Sequence, residues 1–310
     1  MHIFVTGATG FIGSAVVREL INARHSVIGL ARSEAGAKSL VAAGAEVLRG
    51  DLQDLDRLRN GAAKSDAVIH TAFVHDFSKF KESCEIDKHA IEILGAALEG
   101  SRRPLLVTSG LALLTSGRAA TEEDAPVPTS AAYPRASEVA AMSLLARGVK
   151  ASVVRLPQVH DRLKQGLVTY LINIARAKGV SAYIGEGLNR WSAVHVLDAA
   201  RLYRLALEKG DAGAKYHAVA EQGVSLREIA EAIGRGLQVP TMSLFAERAG
   251  EHFGALGHFV GLDLVASSTL TQKWLDWRPT QVGLMDDLAD ARDFEPENAK
   301  SEEGRYAASK

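Results

Sequence analysis

The first half of the chain alternates short, continuously apolar runs with longer stretches in which apolar residues recur every three or four positions. The runs are "HIFVTG" (2–7), "SVIGLA" (26–31), "AEVLRG" (45–50), "DAVIHTA" (66–72), "PLLVTS" (104–109) and "KASVVRLP" (150–157). Residues 11–23, 34–44, the region near 79–99 and 133–148 carry the helical spacing between them. Near-continuous Val, Ile and Leu mark strands buried on both faces, so this order predicts a parallel sheet covered by helices. Right-handed crossovers then give a doubly wound α/β fold. After Pro157 the alternation loosens. Helices are expected at 166–178 and 198–209, with "VSAYIGEG" and "NRWSAVHV" between them, and "AKYHAV" reads as a strand. Ser225 and Glu228 form a capping box that opens "LREIAEAIGRGL". The expected organisation is a main α/β domain over 1–157 and a smaller α/β lobe over 158–293, some of whose segments return to the first. A polar tail, 294–310, follows.

Composition narrows the setting. The chain is 47% hydrophobic and 24% charged, with 36 basic against 37 acidic residues and a net charge of −1. That balance suits a globular protein and offers no global attraction to nucleic acid or an anionic membrane. Cys84 alone permits no internal disulfide and fits a reducing compartment. No thiol-activating motif surrounds it, so a packing role is expected. No signal-peptide pattern precedes the first strand, and no apolar run reaches the ~18–20 residues of a membrane span. The cytoplasm is the expected location.

Chemistry enters at "VTGATGFIG". Gly7, Gly10 and Gly13 stand between the first strand and the first helix. One serves the tight turn, one the approach of backbone to a pyrophosphate, and one the packing of helix on strand. Thr9, Phe11 and Ile12 complete a loop whose amides and helix dipole hold phosphates. This predicts a Rossmann dinucleotide site. Its selectivity is set after the second strand, where "LARSEAG" has Arg32 and Ser33 rather than an acidic residue. A guanidinium and a hydroxyl suit the 2′-phosphate of NADP(H). Glu34 opposes that reading, unless it serves as the opening of a helix. Asp51 and Leu52 are expected beside the adenine, with Asp51 also a candidate helix cap.

The chain resembles the extended short-chain dehydrogenase/reductases, which include sugar-nucleotide epimerases, dihydroflavonol reductases and 3β-hydroxysteroid dehydrogenases. The resemblance rests on "TGATGFIG", "GDLQD", "AVIHTAF", "NRWSAVHVLDAARLYRLALE", "GVSLREIAEAIG" and "WLDWRPT", spread over about residues 2–290. It implies cofactor contacts from Thr71 and Ala72, after the fourth strand, from Thr108 and from Pro157. It also implies a serine or threonine after the fifth strand and a Tyr-x-x-x-Lys pair on the next helix. Here the pattern breaks. Gly110 holds the serine position, behind Thr108 and Ser109. Tyr133 is followed by Ser137 where lysine belongs, and a second register, with Arg135 as the lysine, leaves Ala131 at the tyrosine. The chain thus looks like an atypical subgroup in which basic residues replace the usual pair.

A tyrosine without its lysine remains protonated at neutral pH, so it can donate a proton in reduction but is a poor base for oxidation. Tyr133 is the candidate acid, or else a helix-start aromatic. Arg135 is a substitute cation or a solvated surface residue, and His160 is an alternative acid or a structural hydrogen-bonding group. His75 and Asp76 face the same crevice by topology. His195 and Asp198 are expected to be structural. Trp191, Trp274 and Trp277 are expected to pack the second lobe, and the scattered histidines predict no metal site. The leading expectation is an NADPH-dependent reductase of a carbonyl or polarised double bond in a small molecule. A non-catalytic NADP(H) sensor and a sugar-nucleotide epimerase or dehydratase are the alternatives. By family analogy a homodimer would form through the helices at 79–99 and 133–148.

Overall fold

In the computed structural model, which describes residues 1–76, 79–112, 114, 117–131, 133–291 and 294, the six apolar runs become parallel strands. They are β1 (His2–Thr6), β2 (Ser26–Ala31), β3 (Glu46–Arg49), β4 (Ala67–His70), β5 (Pro104–Gly110) and β6 (Lys150–Leu156). Helices α1 (Phe11–Asn22), α2 (Glu34–Ala42), α3 (Leu55–Ala63), α4 (Phe80–Ala96) and α5 (Ser137–Ser143) separate them. Strand β7 (Gln158–His160), helix α6 (Leu167–Lys178), and strands β8 (Ser181–Ile184) and β9 (Arg190–His195) follow. Next come α7 (Val196–Lys209), β10 (Lys215–His217), β11 (Glu221–Ser225), α8 (Leu226–Leu237) and β12 (Thr241–Leu244).

The chain forms two units. The first comprises Met1–Pro157, Val196–Val219 and Ala266–Thr280. Its seven-stranded sheet has the order β10-β6-β5-β4-β1-β2-β3, parallel throughout. The order reverses between β1 and β4, the switch point at which such Rossmann sheets open a crevice beyond their carboxyl ends. Phe4, Val68, Leu105, Ile91 and Leu94 lie in a core beneath α3, α4 and α5. α7 packs against α1, where Arg204 pairs with Glu19 at 2.7 Å. In the second unit, Gln158–His195, Ala220–Val265 and the chain from Gln281, β9 lies between antiparallel β11 and parallel β7. β8 and β12 form a separate parallel pair. Its core joins Ile172, Trp191, Ile229, Ile233, Leu284 and Leu288. The capping box is present: Ser225 and Glu228 each bond the other's backbone N–H at the start of α8.

Three expectations need correction. Residues 133–148 are not one helix. Pro134 disfavours the helical region for its predecessor, and Tyr133 closes a turn with Ser130, each N–H bonding the other's carbonyl. α5 therefore begins at Ser137, ends at Ser143 and gives way to a 3-10 turn over Leu144–Arg147. Tyr133 and Arg135 sit on the loop before it. Second, Asp54, not Asp51, caps α3, accepting from the Arg57 N–H; Asp51 accepts from the N–H groups of Gln53 and Asp54 in the preceding turn. Third, of the tryptophans only Trp191 packs the second unit. Trp277 is wholly buried in the first, its indole N–H donating to the Asp198 carbonyl, and Trp274, also in the first, is half exposed. The tail expected over 294–310 lies, from residue 295 onward, outside the described residues.

Candidate active site

The glycine loop is built to leave backbone uncovered. Gly7 adopts φ +69°, and a Cβ there would stand 2.6 Å from the Ala72 nitrogen. One on Gly13 would lie 2.0 Å from the Gly7 oxygen, so α1 sits directly on the turn. Gly10 is the N-cap of α1 and is exposed; no side chain caps the helix, and its first turn holds no acidic residue. The positive end of the helix is thus left for an anion. Thr9 is exposed at the rim, while Phe11 and Ile12 are half-buried in the first turn. Thr71 donates to the Thr6 carbonyl at 2.8 Å, and with Ala72 it walls the loop from the β4 side. This cradle fits the pyrophosphate of a dinucleotide. A nicotinamide dinucleotide bound there supplies or accepts hydride.

At the end of β2, Arg32 is exposed and Ser33 caps α2, its hydroxyl accepting from the Gly36 N–H at 3.1 Å. A cation that sequence reasoning did not single out joins them. Arg49, paired with Ala31 in the parallel register, donates to the Ser33 carbonyl at 2.5 Å and lies 3.7 Å from the Glu34 carboxylate. Glu34 is therefore held by a neighbouring positive charge. Asp51 is exposed in its turn, and Leu52 is buried in the core of the first unit.

Beyond β5, a small pocket is lined by Ser109, Gly110, Tyr133, Arg135, Ser137 and Glu138. Alternation along β5 decides which hydroxyl reaches it. The Thr108 hydroxyl donates to the His70 carbonyl at 2.8 Å and accepts from Tyr203 at 2.6 Å, whereas Ser109 borders the pocket. Burial pushes the Tyr133 phenol above its usual range, and the charge of Arg135 opposes the shift. Arg135 is not a solvated helix residue. Its guanidinium lies 4.5 Å over the Phe73 ring, and Nε donates to Ser137 Oγ at 3.1 Å. Glu138 is gripped by Arg155, wholly buried, at 3.0 and 2.6 Å.

His160 lies in the second unit, and Pro157 is the last residue of the first segment of the other. The His160 ring is buried, Nδ1 donating to Asp287 Oδ2 at 2.6 Å, with the His195 ring edge-on at 5.7 Å and a Glu221 oxygen 3.8 Å from Nε2. Burial lowers its pKa, Asp287 working against that shift. Asp198, buried at the start of α7, accepts from the Thr280 N–H. His75 and Asp76 are exposed after β4, the His75 ring edge-on to Phe73. Cys84 is buried, and burial pushes its thiol up to about 11, away from reactivity. Among the described residues no group of three His, Cys, Asp or Glu could hold a metal, and no helix is long and apolar enough to cross a membrane.

Comparison with known proteins places this architecture. Residues 3–220 match the model of the NAD dependent epimerase/dehydratase family. An uncharacterized protein of Schizosaccharomyces pombe is 50% identical over 290 residues, 93% of this chain and 98% of that protein. A 4-hydroxy-2-methyl-3-oxo-4-farnesyl-3,4-dihydroquinoline-1-oxide ketoreductase of Stigmatella aurantiaca is 27% identical, over 82% of this chain and 80% of that one. Among solved structures, a dTDP-glucose 4,6-dehydratase of Streptomyces venezuelae, with NAD and TYD bound, superposes with a TM-score of 0.75 at 22% identity, covering 97% and 98% of the two chains. With its glycine loop, its seven-stranded sheet and a match over more than two thirds of its length, the chain belongs to the NAD dependent epimerase/dehydratase family of extended short-chain dehydrogenase/reductases.

Proposed function

We propose that the protein is an NADPH-dependent reductase of a carbonyl, or a similarly polarised double bond, in a small organic substrate. The observation that carries this reading is the Tyr133–Arg135 pocket, in which burial keeps the phenol protonated and, among the described residues that line it, no lysine stands to turn it into a base. Tyr133 donates its proton to the oxygen on which charge develops as hydride arrives, and Arg135 stabilises that charge. Ser109 offers a hydroxyl to orient the carbonyl. Epimerisation and dehydration of nucleotide sugars begin by oxidising the sugar, which calls for a base, and the described lining residues include no lysine to make Tyr133 one. Arg32, with Ser33 and Arg49 beside it, favours the extra phosphate of NADPH. The ketoreductase relative is consistent with carbonyl reduction.

The test is loss of absorbance at 340 nm against aldehydes, ketones, enones and quinones, with NADPH and NADH in parallel. Turnover with NADPH preferred is expected, and Tyr133→Phe should lose about 100-fold or more in kcat while keeping NADPH affinity. Silence from protein shown to bind NADPH would turn the reading toward a cofactor sensor. Thermal stabilisation by a nucleotide sugar would turn it toward an epimerase or dehydratase.

A further inference from the structure

Ser137 occupies the place of the missing lysine, yet it is not an empty substitution. Its side chain is wholly buried, and its single hydroxyl hydrogen goes to Asp87 Oδ2 at 2.5 Å, so toward Arg135 Nε it acts as acceptor. The other Asp87 oxygen takes the Nε2–H of His70 at 3.0 Å, and His70 Nδ1 pairs with Thr6 Oγ1 at 2.7 Å. Thr6, His70, Asp87 and Ser137 are each at most 2% exposed and come from β1, β4, α4 and α5. The line therefore runs from β1, inside the sheet, through the central strand β4 and out to the pocket. A carboxylate this deep is tolerated only when both oxygens are hydrogen-bonded. Asp87 satisfies that condition through two partners, one of which leads directly to the guanidinium.

We propose that His70, Asp87 and Ser137 form a buried hydrogen-bonded strut that positions Arg135 beside Tyr133, so that a braced arginine takes over the electrostatic role of the absent lysine. Asp87, Ser137 and His70 are positioning residues that act through Arg135; Arg135 and Tyr133 are the groups that act on the substrate oxygen. The strut fixes one side of the guanidinium and the Phe73 ring fixes its face, which leaves a long, flexible side chain little freedom. The inference rests on the proposed role of Tyr133 as proton donor. The other charged or titratable groups acting on the phenol are Glu138 and Cys84, which raise its pKa, and Arg155, which with Arg135 lowers it.

A titration of position 133 without substrate tests the strut. 3,5-Difluorotyrosine incorporated there, with a lower intrinsic pKa than tyrosine, gives one fluorine NMR signal to follow in the full chain. Arg135→Gln should raise the midpoint by about one pH unit, as expected for loss of a nearby opposite charge. Ser137→Ala should raise it in the same direction although it removes no charge, and Ser137→Thr, which keeps the hydroxyl, should restore it; Asp87→Asn gives a second break in the line should Ser137→Ala not fold. A wild-type midpoint in folded Ser137→Ala or Asp87→Asn overturns the strut, and an unmoved midpoint in Arg135→Gln overturns it equally. Neither result depends on turnover. Failure of the reductase assay and failure of the strut are therefore separate findings.

Discussion

Arg32 and Arg49 show how differently two residues of the proposed cofactor site are encoded. Arg32 follows directly from its place at the end of β2, where the dinucleotide fold reads the adenosine ribose. Arg49 lies 17 positions on, and only the pairing of Ala31 with Arg49 brings it to the Ser33 carbonyl and the Glu34 carboxylate. Glu34 on its own would repel a phosphate, and the guanidinium beside it counters that charge. Arg32→Ala should therefore weaken NADPH at least about tenfold, the scale of a lost charge-assisted contact, and leave NADH nearly unchanged. Arg49→Gln should narrow the preference further by releasing Glu34. Fluorescence titration with both cofactors at low salt, where exposed charges are least screened, checks both. Equal losses for NADPH and NADH would remove Arg32 as the phosphate reader.

Elements whose signals are local were legible. The glycine loop, the β/α alternation and the Ser225–Glu228 box each depend on residues within a few positions of one another, and each stands where its pattern predicts. The helix expected from Tyr133 did not, because apolar spacing says nothing of the Pro134 constraint and the Ser130 turn that hold the chain outside a helix until Ser137. Tightness at the α1 start leads to a prediction at this scale. Gly13→Ala would set a methyl 2.0 Å from the Gly7 oxygen, a backbone atom that cannot rotate away. Overpacking of this kind costs about 1–3 kcal/mol. Urea denaturation should show that loss, together with weaker binding of either dinucleotide. Wild-type stability would mean that α1 moves off the turn freely.

Across the first unit as a whole, a second buried polar cluster ties distant segments together. Arg155, on β6, holds Glu138 in a two-point contact, donates to the carbonyls of Thr121 and Asp124, and gives a further hydrogen bond to His217 Nε2 at 3.1 Å. His217 Nδ1–H donates to the Ser267 carbonyl at 2.8 Å, which fixes the neutral tautomer with Nε2 as acceptor. Burial, with the Arg155 charge in support, lowers the pKa of His217 from 6.5 to about 4. Above pH 6.5 the ring is neutral whether folded or unfolded and contributes no pH dependence. Between 6.5 and 4 only the unfolded chain takes up the proton, so stability falls as pH falls, by up to ~3 kcal/mol for this one group. Thermal melts between pH 7 and 4 should show the decline, and His217→Gln should flatten it. A slope unchanged in that variant would assign the acid sensitivity to other groups, His160 among them, whose pKa burial also lowers.

The sequence by itself determined the order of the first six strands, the parallel sheet, the glycine turn and the family, since periodicity, glycine placement and capping are written in short stretches of chain; it did not mark α3, or the strands β7, β11 and β12. Tertiary structure alone decided that Ser109 rather than Thr108 borders the pocket, that Asp87 reaches Ser137 from 50 positions away, and that His160 meets Asp287 across 127. The last two are pairings between buried polar groups. Each is chosen by which partner remains within hydrogen-bonding reach once water is excluded, and nothing local in the chain carries that information.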